Sequence, residues 1–353
     1  MRVTNPPIDL RSDTASRPSP SMRRAMAEAE VGDMALDEDP TVNGLQERAC
    51  RLFEKEAAMF VPSGTMANQT ALKAHTQPGD EVILERASHP VTSELAAGAM
   101  ISGVQFMLLE GERGRLEPER VEEAIRPRGR GEPRTALLWV ENTHNRGGGS
   151  IYELDRLRSL RRVADAHDIP VHLDGARIFN ASVAADVPVA EYARYCESVN
   201  FCLSKGLGCP VGSLVLGSEG FIARAKRYRR MLGGNMRQAG LLAAAGLYAL
   251  EHNVERLAED HANARRLAER LAPVPGLRLV YDTTLTNIVF LDVSRTASSA
   301  EELAARLAAR GVLFSVYGRT WLRAVTHLDV SAEDVERAAD TVERELGGRA
   351  GAR

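Results

Sequence analysis

Apolar residues along this chain fall into short runs of about three to seven, and stretches with apolar positions three and four apart lie between them. The runs at 82–84, 103–109, 136–140, 169–173 and 199–203 lack clean polar alternation. That pattern predicts strands covered on both faces rather than half-exposed ones. Residues 154–167 carry helical spacing and lead straight into the run at 169–173. Further helices are expected at 22–30 with Ser21 as the N-cap, from 41 or 43 to about 54, and at 66–74, 221–232, 239–253 and 254–271. Strand, helix, strand in repetition from residue 58 to 216 predicts a mainly parallel sheet with helices on both faces. The first 20 residues, with Pro18 and Pro20, read as an extended arm. From about 275 the pattern shortens to strands at 277–280 and 288–293, a helix at 300–310, a strand-like run at 321–327 and a closing amphipathic helix. The expectation is an α/β protein with a large domain over 1–250 and a smaller α/β domain over 251–353.

Composition narrows the partners more than the fold. The 353 residues are 44% hydrophobic and 26% charged, with a net charge of -3, which favours neither nucleic acid nor an acidic membrane surface. No apolar run approaches the roughly 18 residues of a membrane span. Residues 1–7 have no apolar core of a secretory signal. Cys50, Cys196, Cys202 and Cys209 lack paired spacing, so reduced thiols in a cytoplasmic protein are expected, with no metal site. The basic loop 126–131 has no interleaved aromatic residues and reads as solvated.

The chemistry gathers where strands end. The run at 169–173 is followed by Asp174, Gly175, Ala176 and Arg177, and the run at 199–203 by Ser204, Lys205 and Gly206. In an open α/β sheet such carboxyl ends face one crevice. A lysine for a Schiff base and an acid to keep a ring nitrogen protonated are what pyridoxal phosphate requires. The Ser63-Gly64-Thr65 turn enters a helix and is either a simple cap or a phosphate cradle built from backbone N–H groups. No Gly-Lys-Ser/Thr follows it, and the glycines at 206–212 lack dinucleotide-fingerprint spacing. His89 is either a capping residue or one that faces a cofactor ring. Glu141 to Asn145, with His144 among them, follow a buried strand, where polar groups need partners or a site to line. Arg323, on an apparent strand, is costly to bury without an anion or a partner.

Taken together, these motifs resemble the low-specificity L-threonine aldolases, in the β-eliminating lyase group of fold-type-I pyridoxal-phosphate enzymes. The resemblance runs through residues 9–14, 39–43, 63–65, 141–145, 172–180, 204–208, 236–238 and 325–330, in family order. It implies a mainly parallel seven-stranded sheet between helices, bound pyridoxal 5'-phosphate and an amino-acid substrate. It also implies a cytoplasmic homo-oligomer with shared active sites, a dimer or a dimer of dimers (a homotetramer). By the same resemblance Lys205 is the Schiff-base lysine, Asp174 pairs with the ring nitrogen, and His89 stacks on the ring. Arg177 lies near the ring oxygen and the substrate carboxylate. Ser63, Gly64, Thr65 and Ser204 hold the phosphate, Ser12 and Arg323 complete the carboxylate clamp, and Arg237 serves a neighbouring subunit. The implied reaction is retro-aldol cleavage of L-threonine, L-allo-threonine or a related β-hydroxy amino acid to glycine and an aldehyde, with His89 or His144 handling the hydroxyl proton. β-Elimination and epimerisation are the alternatives. The chain departs from the family pattern at Leu36-Asp37, Met66, Pro90 to Thr92 and Tyr152, in the loops around the substrate's β-substituent.

Overall fold

The computed structural model describes residues 6–127, 129 and 131–347. Arg128 and Arg130 of the basic loop, the first five residues and the Gly/Arg-rich tail from 348 lie outside the described residues. The chain divides into two compact units, Pro18–Val254 and Met1–Arg17 with Glu255–Arg353.

The larger unit is built on a seven-stranded sheet. Across it the strands are Ala57–Val61, Ser213–Gly217, Ser198–Cys202, Val171–Asp174, Thr135–Glu141, Glu81–Glu85 and Gln105–Leu109. Ser213–Gly217 is antiparallel to both its neighbours, and the remaining pairings are parallel. Every residue of the four strands from Ser198–Cys202 to Glu81–Glu85 is buried, whereas the edge strand Gln105–Leu109 is only partly covered. Burial on both faces is why the central runs are so apolar. All strands but Ser213–Gly217 run the same way, so Val61, Glu85, Glu141, Asp174 and Cys202 end on one side of the sheet, and the loops after them share a floor. No helix of the described residues is long and apolar enough to cross a membrane.

Helix starts correct the sequence reading in one consistent way. Ser19, not Ser21, caps the first helix, Pro20–Ala27, and Asp39 caps Pro40–Phe53. In both, proline takes the first helical position, where its fixed φ suits the helix and its missing N–H goes unneeded. Arg126 is likewise more than a solvated charge, since its guanidinium pairs with buried Glu81 at 2.9 Å.

The smaller unit holds an antiparallel sheet in the order Ser315–Tyr317, Trp321–Val325, Ile288–Asp292 and Arg278–Leu279. Helices Leu257–Leu271, Ala300–Ala309 and Ala332–Gly347 supply apolar faces to its core, among them Leu267, Leu303 and Val335. The N-terminal arm, expected with the large domain, belongs here. Ile8–Asp9 pairs in parallel with Val312–Leu313, and Leu10 is fully buried in this unit's core. Burying those apolar side chains is the stabilising term that fixes the arm, and its sequence neighbours offer it no equivalent.

Candidate active site

Asp174 closes the strand Val171–Asp174 and is 1% exposed. Its carboxylate accepts hydrogen bonds from Asn68 Nδ2 at 2.9 Å, the Ala176 N–H at 3.1 Å and Asn200 Nδ2 at 3.4 Å. A charge this deeply buried persists only with such donors. Asn68 stands on the helix Gly64–His75, and its amide nitrogen also donates to Glu94 Oε1 at 2.7 Å. Glu94 accepts in addition from Gln69 Nε2 at 2.6 Å and holds His89 Nδ1 at 2.6 Å. Asn68 thus bridges two buried carboxylates, one of which orients an imidazole.

His89 opens the short helix His89–Thr92, and its backbone N–H donates to Glu141 Oε2 at 2.7 Å. Burial alone would lower the pKa of its ring. The Glu94 hydrogen bond, with the charges of Asp174 and Glu94, outweighs burial and the opposing Lys205 ammonium, so the pKa is raised. Lys205 therefore lies within electrostatic reach of His89. It follows the strand Ser198–Cys202, is half-buried like Ser204, and accepts the Gly208 N–H on its carbonyl at 2.8 Å.

Ser63 is the N-cap of Gly64–His75, its Oγ accepting from the Met66 N–H at 3.2 Å. Ser63 and Thr65 are exposed, so the positive end of this helix is open to an anion. A Cβ on Gly64 would stand 2.7 Å from Cys202 Sγ, which is why the turn uses glycine there. Arg177, 6% exposed, precedes the helix Ile178–Ala185.

His144 is placed differently from His89. It is 1% exposed, its Nδ1 accepts the Gly147 N–H at 3.0 Å, and its Nε2 lies 3.1 Å from a Glu85 carboxylate oxygen. Its ring packs so closely on Gly114 that a Cβ there would come within 2.1 Å. Burial lowers its pKa, but Glu141 and Glu85 more than offset this and raise it. Tyr152, one of the departures from the family pattern, props the same loop. Its hydroxyl accepts the Leu116 N–H at 2.8 Å and donates to the Gly114 carbonyl at 3.3 Å.

Arg237 stands apart from this cluster, with a 65% exposed side chain 3.1 Å from Asp33. Within the smaller unit, Ser12 caps the turn Asp13–Ala15 and accepts from Thr14 Oγ1 at 2.8 Å. Arg323, 6% exposed, donates to the Arg11 carbonyl at 2.8 Å and lies over the Tyr317 ring. Arg323 and the residue next to Ser12 are therefore in direct contact.

Sequence reasoning passed over Asn68, Gln69, Glu94 and Asn200. Two adjacent amides in an Ala-containing helix were the available signal, since buried amides need partners. Asn68 Oδ1 has no donor among the described residues, so a buried acceptor is left over beside Asp174. A ligand that brings a protonated nitrogen to that carboxylate fits this donor set. The amine of Lys205 and the open helix start complete the complement that pyridoxal phosphate needs.

Residues 9–296 match the family model of the beta-eliminating lyases. The chain is 43% identical over 333 residues to a low-specificity L-threonine aldolase of Escherichia coli K12, covering 94% of this chain and 97% of that one. It is 41% identical to low-specificity L-threonine aldolase 1 of Arabidopsis thaliana, covering 93% of each. Among solved structures, the threonine aldolase of Leishmania major superposes with a TM-score of 0.83 at 19% identity, over 96% of this chain and all of that one.

Proposed function

Because the chain belongs to the beta-eliminating lyase family, we propose that it is a pyridoxal-5'-phosphate-dependent aldehyde-lyase. Its substrate is L-threonine, L-allo-threonine or a related L-β-hydroxy-α-amino acid, cut between Cα and Cβ to give glycine and an aldehyde. The observation that carries this reading is the Asp174 cluster. It is a buried carboxylate held by three donors at a strand end, with Lys205 within electrostatic reach of the same imidazole.

When bound, pyridoxal phosphate supplies the electron sink that makes Cα–Cβ cleavage accessible. The polypeptide's part is to hold, orient and move protons. Asp174 offers a fixed negative charge to a ring nitrogen. Lys205 offers its amine, and Ser63, Gly64, Thr65 and Ser204 offer phosphate donors. For the substrate carboxylate, the residues proposed as the clamp are Arg177 of the larger unit and Ser12 and Arg323 of the smaller, since a guanidinium can meet two oxygens at once.

Of the two imidazoles, His89 is better built to take the β-hydroxyl proton. With Glu94 accepting at Nδ1, the neutral ring carries its hydrogen there and leaves the Nε2 lone pair for the substrate. His144 is fixed at Nδ1 by Gly147 and faces Glu85 with Nε2, which suits it to shaping the loop after Glu141. The same reading makes the active unit a homodimer or a dimer of dimers, with exposed Arg237 reaching a neighbouring copy's site. It places the enzyme in the cytoplasm, where its four free thiols stay reduced.

The test is product analysis of the purified protein supplied with pyridoxal phosphate. L-Threonine and L-allo-threonine are expected to yield glycine and acetaldehyde, and Lys205→Ala to abolish this while leaving the circular dichroism spectrum unchanged. Keto acid and ammonia in place of aldehyde would overturn the retro-aldol reading. Normal turnover by Lys205→Ala would remove the lysine from its role.

A further inference from the structure

Behind Asp174 a file of polar side chains runs along two paired strands of the sheet through an otherwise apolar interior. His75 Nε2 lies 2.6 Å from Ser198 Oγ, and the same hydroxyl lies 2.7 Å from His172 Nδ1. His172 Nε2 is 2.8 Å from Asn200 Oδ1, and Asn200 Nδ2 is 3.4 Å from Asp174 Oδ1. Ser198, His172 and Asn200 are completely buried. His75 lines an open cavity of about 540 Å³ with Lys55 and Arg224, at the sheet end where Thr135 begins its strand.

The direction of every bond in this file follows from its last member. A carboxylate only accepts, so Asn200 must turn its NH2 toward Asp174. That leaves the amide oxygen facing His172, and an oxygen only accepts, so the hydrogen of His172 is on Nε2. Burial pushes the pKa of His172 down to about 4 and that of His75 down to about 3, so both rings are neutral at physiological pH. A neutral His172 with hydrogen on Nε2 has its lone pair on Nδ1, where the Ser198 hydroxyl donates. The Ser198 oxygen then accepts from His75 Nε2–H. Reversing any one bond sets two acceptors or two donors face to face in the interior, at a cost of about 1–3 kcal/mol. The Trp139 ring packs against the imidazole of His172, with ring centroids 4.2 Å apart.

We infer that His172 is a positioning residue: its Nε2–H locks the Asn200 amide in the orientation that donates to Asp174, and so keeps the Asp174 side chain placed to meet a protonated ring nitrogen. The polarity of the file is a property of the polypeptide alone. Its consequence for the cofactor rests on the pyridoxal-phosphate reading above.

Two measurements separate these parts. In full-length protein labelled with nitrogen-15 in its histidine rings, His172 is expected to be neutral with its proton on Nε2. A proton on Nδ1, or a charged ring at neutral pH, overturns the inferred direction. The second measurement is the Kd for pyridoxal phosphate of the wild type, His172→Phe and His172→Gln, with the thermal unfolding midpoint of each. Glutamine places an amide N–H near the position of Nε2, and phenylalanine places none. His172→Phe is expected to weaken cofactor binding about tenfold, the loss of one hydrogen bond in the file, and His172→Gln to restore most of it. Equal affinity in all three, or equal weakening in both variants in step with lost stability, overturns the positioning role. Failure of the wild type to bind pyridoxal phosphate sinks the cofactor reading, and the ring spectrum still decides the polarity of the file.

Discussion

Replacing Glu94 by glutamine tests the electrostatic logic of the site most directly. The Glu94 side chain is fully buried and takes donors from Asn68, Gln69 and His89 at 2.7, 2.6 and 2.6 Å. Glutamine keeps an oxygen for Asn68. Gln69, whose Oε1 has no donor among the described residues, can turn its amide to accept from the new NH2. The change is thereby confined to His89, which exchanges an ion pair for a neutral contact. A hydrogen bond to a charged group contributes about 1.5–3 kcal/mol, so a loss of about 2 kcal/mol is expected while His89 is protonated.

The sign of the pH dependence follows from the raised pKa of His89, whose ordinary value is 6.5. The stabilising contribution is fully present below that ordinary value and fades as pH rises through the raised folded value. The wild type and Glu94→Gln should therefore differ most near pH 6 and converge as pH rises past the His89 transition. Thermal unfolding of the two proteins near pH 6 and well above the transition reads the difference as a few degrees that shrink with pH. A nuclear magnetic resonance titration of His89 reads its cause, and His89 is expected to titrate lower in the variant. An identical titration in both proteins would refute the reasoning, because Glu94 would then not be what raises His89.

Gly64→Ala must push the helix start away from Cys202 Sγ, 2.7 Å from the new methyl; a Kd for pyridoxal phosphate at least about tenfold weaker is expected, and an unchanged Kd would detach this turn from the phosphate. Arg323→Ala should raise the KM for the amino acid by about 30-fold or more, as loss of a charged hydrogen bond implies, with much less effect on cofactor retention; an unchanged KM would remove Arg323 from the clamp. Tyr152→Phe strands the buried Leu116 N–H, so urea denaturation should show a loss of about 1–3 kcal/mol.

Much of the site was legible because its residues follow apolar runs. Asp174 and Lys205 stand out as a carboxylate and an amine directly after stretches that must be buried, and the topology brings such strand ends to one side. Glu94 left no such mark. It precedes Leu95 and Ala96, both with positive φ, in a segment with neither strand nor helix periodicity, and its importance lies in contacts with residues about 25 positions away or less that no local pattern encodes. His172 was visible as a letter within a strand, but its meaning depends on Ser198 and Asn200 in the neighbouring strand, and register is not written in either run alone. The helix starts lie one to three residues before the expected ones because proline, which breaks a helix interior, here occupies the first helical position. The destination of the arm was hidden for a different reason: Ile8 finds Val312, and pairing over that separation leaves no periodic trace.

That pairing orders events during synthesis. Translation at about 5–20 residues per second delivers Val312 roughly 15–60 seconds after Ile8. Throughout that interval the arm lacks its strand partner, and before it ends all of Pro18–Val254 has been made. The larger unit can thus complete its sheet on the ribosome with the arm still a free tether, and the smaller unit can close only after the last strands and helices emerge. Premature termination between residues 254 and 312 would leave the arm's apolar side chains exposed although the strands of the larger sheet are all present, a state suited to recognition by quality-control proteases.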